Sequence, residues 1–554
     1  MSLDGGALQR DPTLAGPEGP LVLIILDGVG VGCHDAFDAV SSAFTPVLDA
    51  LTSSGPYTTL RAHGVAVGLP SDADMGNSEV GHNILGAGRI FDQGAKRVEN
   101  ALDSGSLWTS KAWHSVVDAG SAATLHFVGL LSDGNVHSNI SHLVAMLERA
   151  CDDGVRRVRI HALLDGRDVP DGTAEQFIAD LGALLQRLNA RGVDYRVASG
   201  GGRMTTTMDR YGADWAMVER GWRAHVLGDA PGFTSALAAI TDARQRHPGI
   251  GDQNLPSFTV TDDAGLPVGP ILDGDAVVMF NFRGDRALEF SQAITETSFD
   301  QFDRVRLPAV TFAGMCLYDG DLGVPQLYLV EPTYLPGTIS ELLAASGVRQ
   351  FACAETQKFG HVTYFWNGNR SEPFEPEFET YEEIPSDSHP FETRPWMKSA
   401  ETVDSVIASV RSGEFQFIRA NFAGGDMVGH TANFAATVLA LGSIDLALGR
   451  IAAVVREAKG VLVITADHGN ADDKVERDAS GHPRFAADGT PVWRTAHSLN
   501  PVPFIVGDFS GRSLELTEVA GAGLANVAAT LLNLLGFVAP ADYEPSLVRA
   551  TPAS

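Results

Sequence analysis

Three aspartates and three histidines stand where the chain can gather them around metal ions. Asp426 and His430 lie four apart in GDMVGH, Asp467 and His468 follow an apolar run directly, Asp27 follows another, and His497 sits in Thr495-Ala496-His497-Ser498. A spacing of four puts Asp426 and His430 on one face of a helical turn, aimed at one ion. Adjacent side chains at a strand end diverge, so Asp467 and His468 can serve one ion from a turn, or two ions. A mixed oxygen and nitrogen donor set suits Mn²⁺, Zn²⁺, Co²⁺ or Mg²⁺ and argues against a soft thiolate metal. Between Asp74 and Asn83, Ser78 lies in GNSEVG, whose G-x-S-x-x-G spacing is not the G-x-S-x-G nucleophile elbow. A Ser-His-Asp hydrolase is therefore disfavoured. A serine held by a metal has its alkoxide stabilised and needs no histidine base. The competing role for Ser78 is a helix cap.

A repeated pattern must position these residues: a short apolar run ends abruptly at a cluster of Gly, Asp, His or Arg. Leu21 to Leu26 meets Asp27-Gly28, Leu125 to Leu131 meets Ser132 to His137, and Ile160 to Leu164 meets Asp165-Gly166-Arg167-Asp168. Tyr195 to Ala198 leads into Gly200-Gly201-Gly202-Arg203, and Ala276 to Phe280 into Asn281 to Arg286. Later, Phe415 to Ile418 precedes Asn421 to Asp426, and Val461 to Thr465 precedes Ala466 to Asn470. Helical stretches such as Ser141 to Arg149, Thr173 to Asn189 and Ala435 to Ala458 lie between them. Strand, polar loop, helix is the signature of an α/β fold, whose ligands sit at the carboxyl ends of the strands. Any one such loop can be a mere turn; seven loaded with metal-type or anion-type side chains cannot all be.

The clusters near Asp27, Ser78, Asp426, Asp467 and His497 carry Asp and His, whereas those between His137 and Arg286 carry Arg. A discontinuous metal-binding domain, residues 21–92 and 333–554, is thus expected to be interrupted by an inserted, anion-binding domain at 93–332, large enough to fold alone. Residues 1–20 lack a basic segment followed by an apolar one, so they read as a mobile tail rather than a signal peptide.

The 554 residues suggest two to four domains. With 44% hydrophobic and 20% charged residues the chain reads as soluble and globular. A formal charge of −29 should repel nucleic acid and anionic membranes, so neither is an expected partner. An anionic substrate would then need a local basic pocket. Cys33, Cys151, Cys316 and Cys353 form no C-x-x-C pair and read as reduced thiols, in keeping with a cytoplasmic location. Ala520 to Ala541 carries no charge, but its Gly, Asn and Pro content fits a buried helix ending before Pro540. The acidic, Pro-punctuated stretch Glu372 to Glu392 reads as a solvated loop. His63, His82, His126, His142 and His161 are expected to be hydrogen-bonded structure rather than ligands, with His82 and His361 as candidates to back the metal ligands.

Ten segments resemble the cofactor-independent (2,3-bisphosphoglycerate-independent) phosphoglycerate mutases of the alkaline phosphatase superfamily, in that family's order. They are LDGVG (26–30), DMGNSEVGHNILGAGRI (74–90), SDGNVHSNISHL (132–143), LDGRDVP (164–170), GGGRMTTTMDRY (200–211), NFRGDRA (281–287), AETQKFGHVTYFWNGN (354–369), GDMVGHT (425–431), TADHGNADD (465–473) and TAHSLNPVP (495–503). GGGRM followed by TMDRYGADW, with the long spacer before His497, is similar to the plant and kinetoplastid type. The resemblance implies a three-layer α/β/α metal domain and an intramolecular phosphotransfer between 3-phosphoglycerate and 2-phosphoglycerate through a phosphoserine at Ser78, with no 2,3-bisphosphoglycerate. It implies that Asp426, His430 and His497 hold one ion and that Asp27, Ser78, Asp467 and His468 hold the other, commonly Mn²⁺. It further implies substrate binding by His137, Arg167, Asp168, Arg203, Arg210, Arg283 and Arg286, contact of Lys358 with the transferring phosphoryl group, and a monomer. Arg forks match carboxylate and phosphate oxygens, and a lysine beside two ions suits the spread phosphoryl charge. Asp168 is the candidate acid and base between the two hydroxyls; its other reading is an ion pair that merely positions Arg167. With metals on one domain and most arginines on the other, the site is expected to be complete only when the domains close.

Three positions depart from the family's usual pattern: Asn135 where many members have Gly, Asn139 where a second His is frequent, and Gly424-Gly425 where Asn-Pro is common. The competing functions are a metal-dependent phosphatase, phosphodiesterase or phosphopentomutase of the same superfamily, and a non-catalytic metal-binding protein. The Arg-bearing insert argues against the phosphatase and phosphodiesterase, because a mutase must retain its dephosphorylated product away from water, and the LDGRDVP and NFRGDRA loops point to phosphoglycerate rather than to a phosphopentose. The second would tolerate loss of Ser78, Lys358 or a ligand, and none is missing.

Overall fold

The computed structural model describes residues 7–69, 72–209, 214–318, 323–331, 335–370, 372–478, 480–486 and 488–551. The chain divides into two compact units, Met1–Gln93 with Thr333–Ser554, and Gly94–Pro332. Each is α/β and built on a seven-stranded, mostly parallel sheet, the fold class expected.

In the first unit the strand order is Glu379–Ile384, Gln350–Glu355, Phe417–Phe422, Leu21–Leu26, Val461–Thr465, Val502–Asp508, Tyr57–Leu60. The first five are parallel to one another, and Val502–Asp508 pairs antiparallel with both of its neighbours, Val461–Thr465 and Tyr57–Leu60. Leu21–Leu26 (LVLIIL) and Val461–Thr465 (VLVIT) are buried throughout because helices cover both faces, which is why they read as unbroken apolar runs. Burying each such Leu, Ile or Val stabilises by roughly 1.5–3 kcal/mol. Parallel pairing has a functional consequence: strands 350–355, 417–422, 21–26 and 461–465 are consecutive neighbours, so the loops leaving their carboxyl ends all emerge at one edge. One helix among the described residues, Phe434–Glu457, is long and apolar enough to cross a membrane, with 56% of its apolar window buried inside the protein. Its Asp445 accepts from the backbone N–H groups of Val47 (3.1 Å) and Leu48 (2.8 Å), capping the helix Pro46–Ser54.

In the second unit the order is Gly232–Phe233, Phe258–Val260, Asp194–Gly202, Arg157–Leu164, Leu125–Leu131, Ala276–Met279, Thr311–Gly314. Only the pairing of 258–260 with 194–202 is antiparallel.

Several expectations need correction. Gly200 to Gly202 are not a loop but the end of the strand Asp194–Gly202. A Cβ on Gly202 would sit 2.3 Å from the Gln253 carbonyl oxygen, so glycine lets the 253–255 backbone close over the strand. The acidic stretch contains an edge strand, Glu379–Ile384 (ETYEEI), whose outward Glu residues suit an edge exposed to water. The described part of the expected mobile tail, 7–20, is docked: the Asp11 N–H donates to the Gly536 carbonyl (2.9 Å), the Val538 N–H to the Gln9 carbonyl (2.9 Å), and Arg10 lies 4.3 Å over the Phe537 ring. The uncharged stretch near the C-terminus holds the buried helix Asn526–Leu534, as its composition predicts.

Candidate functional site

In the first unit the helix Ser78–Ala87 starts at Ser78, and its cap is Asn77, whose side chain accepts from the Val80 N–H at 3.1 Å. Ser78 is thus relieved of capping and left with its hydroxyl at a helix N-terminus, where partial positive charge favours an anion. The helix approaches closely because residue 81 is glycine: a Cβ there would lie 2.6 Å from the Asp467 carbonyl oxygen. Ser78 Oγ meets Lys358 Nζ at 2.6 Å, His468 Nε2 at 2.9 Å and Asp27 Oδ1 at 3.1 Å. Lys358 Nζ also donates to Asp27 Oδ1 (2.7 Å) and Asp426 Oδ2 (2.8 Å).

Asp426 lies in the short helix Gly424–Gly429, with His430 at its C-cap. Asp426 Oδ1 faces His430 Nε2 at 3.0 Å and His497 Nε2 at 3.2 Å, while His430 Nε2 and His497 Nε2 stand 3.1 Å apart. In all three sequence-predicted histidines Nδ1 faces a backbone carbonyl: Thr495 for His430 (2.6 Å), Gly76 for His497 (2.7 Å) and Gly469 for His468 (3.3 Å). Each Nδ1 therefore carries the proton, and each Nε2 turns a lone pair into the cluster. Two lone pairs facing one another at 3.1 Å beside a carboxylate repel unless a cation lies among them.

The carboxylates make the same demand. Asp27, Asp426 and Asp467 are buried with one lysine between them. Burial and then the Asp467 charge push Asp27 up to about 6. Burial would raise Asp467 and Asp426 too, but the surrounding His and Lys groups outweigh it and hold both below the carboxylate range. Burial alone would lower Lys358; Asp27 and Asp426 outweigh it and keep it cationic. Among the described residues the nearest groups to Asp467 Oδ2 are His82 Nδ1 at 3.3 Å and His468 Nε2 at 3.6 Å. Uncompensated negative charge plus converging lone pairs fits divalent cations. His82 stands with Asp27 and Asp467 in a cluster that could hold an ion, but both its ring nitrogens are already engaged: Nδ1 faces the Ser78 carbonyl (2.8 Å), Nε2 faces Asn421 Nδ2 (3.1 Å), and the ring lies edge-on against His361 at 5.4 Å.

Three polar residues were not singled out by sequence reasoning. Asn421 Nδ2 donates to Asp27 Oδ2 (2.7 Å), Asn470 Nδ2 to Asp426 Oδ1 (2.9 Å), and the buried Lys474 Nζ to Asn470 Oδ1 (2.6 Å). Burial pushes Lys474 down to about 7.

The second unit gathers the predicted anion-type residues at its strand ends. The buried Arg203 follows Asp194–Gly202 and pairs through Nη1 with Asp165 Oδ1 (2.8 Å) and with Asp168 Oδ2. Asp168 is therefore a direct partner of Arg203, and the Arg167 charge acts on it as well. Burial would raise the Asp168 carboxyl, but the Arg203 guanidinium outweighs it and holds it well below its ordinary range. Asp165 also accepts from Ser132 Oγ (2.6 Å) and from the N–H groups of Arg167 and Asp168 (both 3.1 Å), so one carboxylate shapes the whole 165–168 turn. His137 has Nε2 at 4.0 Å from Asp168 Oδ2 and Nδ1 at 3.5 Å from Asp285 Oδ1; burial and Arg203 push it far down, leaving it neutral. Arg283 Nε lies 3.3 Å from Asp285 Oδ1, Arg286 Nη1 donates to the Met208 carbonyl (2.6 Å), and Arg167 Nη1 points to Met204 Sδ (3.9 Å). Arg210 lies outside the described residues. Asp165 and Asp285 were missed because in sequence they look like ordinary turn formers.

Two of the unusual residues compensate each other. Asn135 adopts the left-handed φ of 55° that glycine would, and its Oδ1 accepts from Asn139 Nδ2 at 2.6 Å. Asn139 in turn caps the helix Ile140–Asp152 through the Ser141 N–H (2.8 Å).

A family model described as the metalloenzyme superfamily matches residues 19–539. The 2,3-bisphosphoglycerate-independent phosphoglycerate mutase of Trypanosoma brucei brucei is 52% identical over 96% of this chain and 98% of its own. A probable counterpart from Arabidopsis thaliana is 49% identical over 96% of each chain. The crystal structure of Leishmania mexicana phosphoglycerate mutase at low cobalt concentration matches with TM-score 0.91 at 48% identity, covering 98% of this chain and 100% of that one. The chain belongs to the 2,3-bisphosphoglycerate-independent phosphoglycerate mutase family of the metalloenzyme superfamily.

Proposed function

We propose that this chain interconverts 3-phosphoglycerate and 2-phosphoglycerate by way of a phosphoserine at Ser78, with no requirement for 2,3-bisphosphoglycerate. The observation that carries this reading is the setting of Ser78 Oγ, at a helix N-terminus and within 2.6 Å of Lys358 Nζ and 2.9 Å of His468 Nε2. Two divalent ions, Mn²⁺ by preference, with Co²⁺, Mg²⁺ and Zn²⁺ as alternatives, would be held by Asp426, His430 and His497, and by Asp27, Ser78, Asp467 and His468. When bound they would lower the basicity of Ser78 and neutralise phosphoryl oxygens.

The chain's own residues do the rest. Lys358 stabilises the Ser78 alkoxide and then the negative charge spread over the transferring phosphoryl group. The helix at Ser78 adds its N-terminal dipole to the same end. Arg167, Arg203, Arg210, Arg283 and Arg286 bind the carboxylate and phosphate of the glycerate, with His137 as a neutral hydrogen-bonding neighbour. Asp168 carries a proton between the 2- and 3-hydroxyls as the glycerate reorients; its pairing with Arg203 makes it a weak base until the substrate competes for that arginine. The domains divide the work: residues 21–92 and 333–554 bind metal, and 93–332 bind substrate. A cytoplasmic monomer acting on a small molecule, without nucleic-acid or membrane partners, accords with the charge of −29.

The test is a pair of assays on chelated, Mn²⁺-reconstituted protein without 2,3-bisphosphoglycerate: 2-phosphoglycerate formed from 3-phosphoglycerate, and phosphate released, each with Ser78→Ala alongside. Isomerisation exceeding phosphate release, and lost in the variant by about 10⁴-fold or more, is expected. Phosphate release alone would make the protein a phosphatase.

A further inference from the structure

Inside the second unit lies a file of six buried polar side chains that the proposed reaction does not use. Asp275 Oδ2 meets His126 Nε2 at 3.1 Å, His126 Nδ1 meets His161 Nε2 at 2.9 Å, and His161 Nδ1 meets Ser199 Oγ at 2.6 Å. Ser199 Oγ then meets His225 Nδ1 at 2.7 Å, and His225 Nε2 meets Thr207 Oγ1 at 2.9 Å. All six are buried. The file crosses three neighbouring strands, Leu125–Leu131, Arg157–Leu164 and Asp194–Gly202, before ending in the turn after the last of them.

The chemistry gives this file one direction. A carboxylate only accepts, so His126 must donate from Nε2 to Asp275, which leaves its Nδ1 as an acceptor if the ring is neutral. His161 must then donate from Nε2 and accept at Nδ1, where only the Ser199 hydroxyl can donate. The Ser199 oxygen accepts from His225 Nδ1–H, and His225 Nε2 is left to accept the Thr207 hydroxyl proton. Neutrality is what burial favours: it lowers His126 and His161 and pushes His225 down to about 3. One aspartate thus sets three tautomers and two hydroxyl rotors, and hydrogen bonds aligned in series reinforce one another.

The far end matters for the site. Thr207 is β-branched yet has φ of 70°, a conformation such residues rarely adopt, and it is clasped by its N–H to the Met217 carbonyl (2.9 Å) and its hydroxyl to His225. Its turn begins at Arg203, the partner of Asp165 and Asp168, and continues to Met208, whose carbonyl receives Arg286. We propose that Asp275, acting through His126, His161, Ser199 and His225, holds Thr207 as a hydrogen-bond donor and so fixes the turn that presents Arg203 and Arg286. Asp275 and His225 are positioning residues for anion binding. The functional part of this inference rests on the reading that these arginines grip phosphoglycerate.

The experiment uses full-length, Mn²⁺-loaded protein labelled with ¹⁵N-histidine. Long-range ¹H–¹⁵N spectra should find His126 and His161 protonated at Nε2 and His225 at Nδ1; any other set of tautomers overturns the file. Hydrogen exchange of amides 203–209 should quicken by tenfold or more in His225→Phe and in the milder Thr207→Val. It should stay near wild type in His225→Gln, which keeps an acceptor for the Thr207 hydroxyl. The Michaelis constant for 3-phosphoglycerate should rise severalfold with the exchange, with kcat changing less. Unchanged exchange in Thr207→Val overturns the proposal even if His225→Phe fails to fold. Faster exchange with an unchanged Michaelis constant upholds the positioning and counts instead against the arginines as the substrate grip.

Discussion

The two charged clusters of this protein solve opposite electrostatic problems. Around Ser78, three buried carboxylates share one lysine, and the His430 and His497 lone pairs face each other at 3.1 Å, so the cluster is unfavourable until cations arrive. Around Arg203 each carboxylate already faces a guanidinium: Arg203 joins Asp165 and Asp168, and Arg283 faces Asp285. One region is built to be completed by what it binds; the other is pre-formed, with its arginines oriented before an anion comes.

Deleting the central cation of each cluster should break the symmetry between them, and these are the largest effects expected. Lys358→Met leaves Asp27 and Asp426 without their counter-charge, and metal-free protein should lose about 3–5 kcal/mol of stability. Mn²⁺ should restore most of that loss, because divalent ions replace the missing charge. The turnover of the loaded variant should still be lower by roughly 10²–10⁴-fold, since the phosphoryl charge loses a dedicated partner. Arg203→Met should cost a similar about 3–5 kcal/mol by stranding Asp165 and Asp168, and Mn²⁺ should not rescue it. Thermal melts of both variants with and without metal decide the matter; equal rescue by Mn²⁺ would erase the contrast.

The contrast was partly legible in the sequence for a physical reason. Parallel strands buried on both faces are continuous apolar runs, and whatever breaks such a run is at the sheet's carboxyl edge, so Asp27, Asp467 and the arginines announced themselves. Asn421 and Asn470 did not, because an amide that orients a carboxylate is indistinguishable in sequence from one that caps a turn. Lys474 resembled a surface charge, although it is buried and bonded to Asn470. The docked segment 7–20 left no trace because backbone groups make two of its principal bonds, and backbone bonding has no residue code. Glu379–Ile384 was hidden by its acidic residues, which an edge strand tolerates on its open side.

A smaller effect separates pre-organisation from charge. Arg286 is held by a neutral backbone group, the Met208 carbonyl at 2.6 Å. Arg286→Ala should raise the Michaelis constant for 3-phosphoglycerate by about tenfold to a hundredfold, roughly 1.5–3 kcal/mol of a charged hydrogen bond, at little cost in stability. A fall in kcat alone would mean that the arginine acts on the transition state rather than on binding.

The effect expected to be smallest at neutral pH concerns His142, which belongs to the second unit but to neither cluster. Its ring is buried beside Phe282, both ring nitrogens lack hydrogen-bond partners among the described residues, and burial pushes it down to about 4. In the unfolded chain a histidine titrates near 6.5. Between those values the unfolded chain holds a proton that the folded protein refuses, so the folded state loses stability as the pH falls through that window. The loss from this group is at most about 3 kcal/mol, complete only near pH 4. His142→Phe removes the group that would have to charge, so metal-free variant and wild type, compared by urea unfolding, should differ little at pH 7 and diverge in the variant's favour toward about pH 4.5. Parallel pH profiles would mean that the ring finds a partner on protonation. The residual acid slope in the variant belongs to the other histidines that burial lowers in the same direction, among them His126, His137, His161, His225 and, without metal, His497.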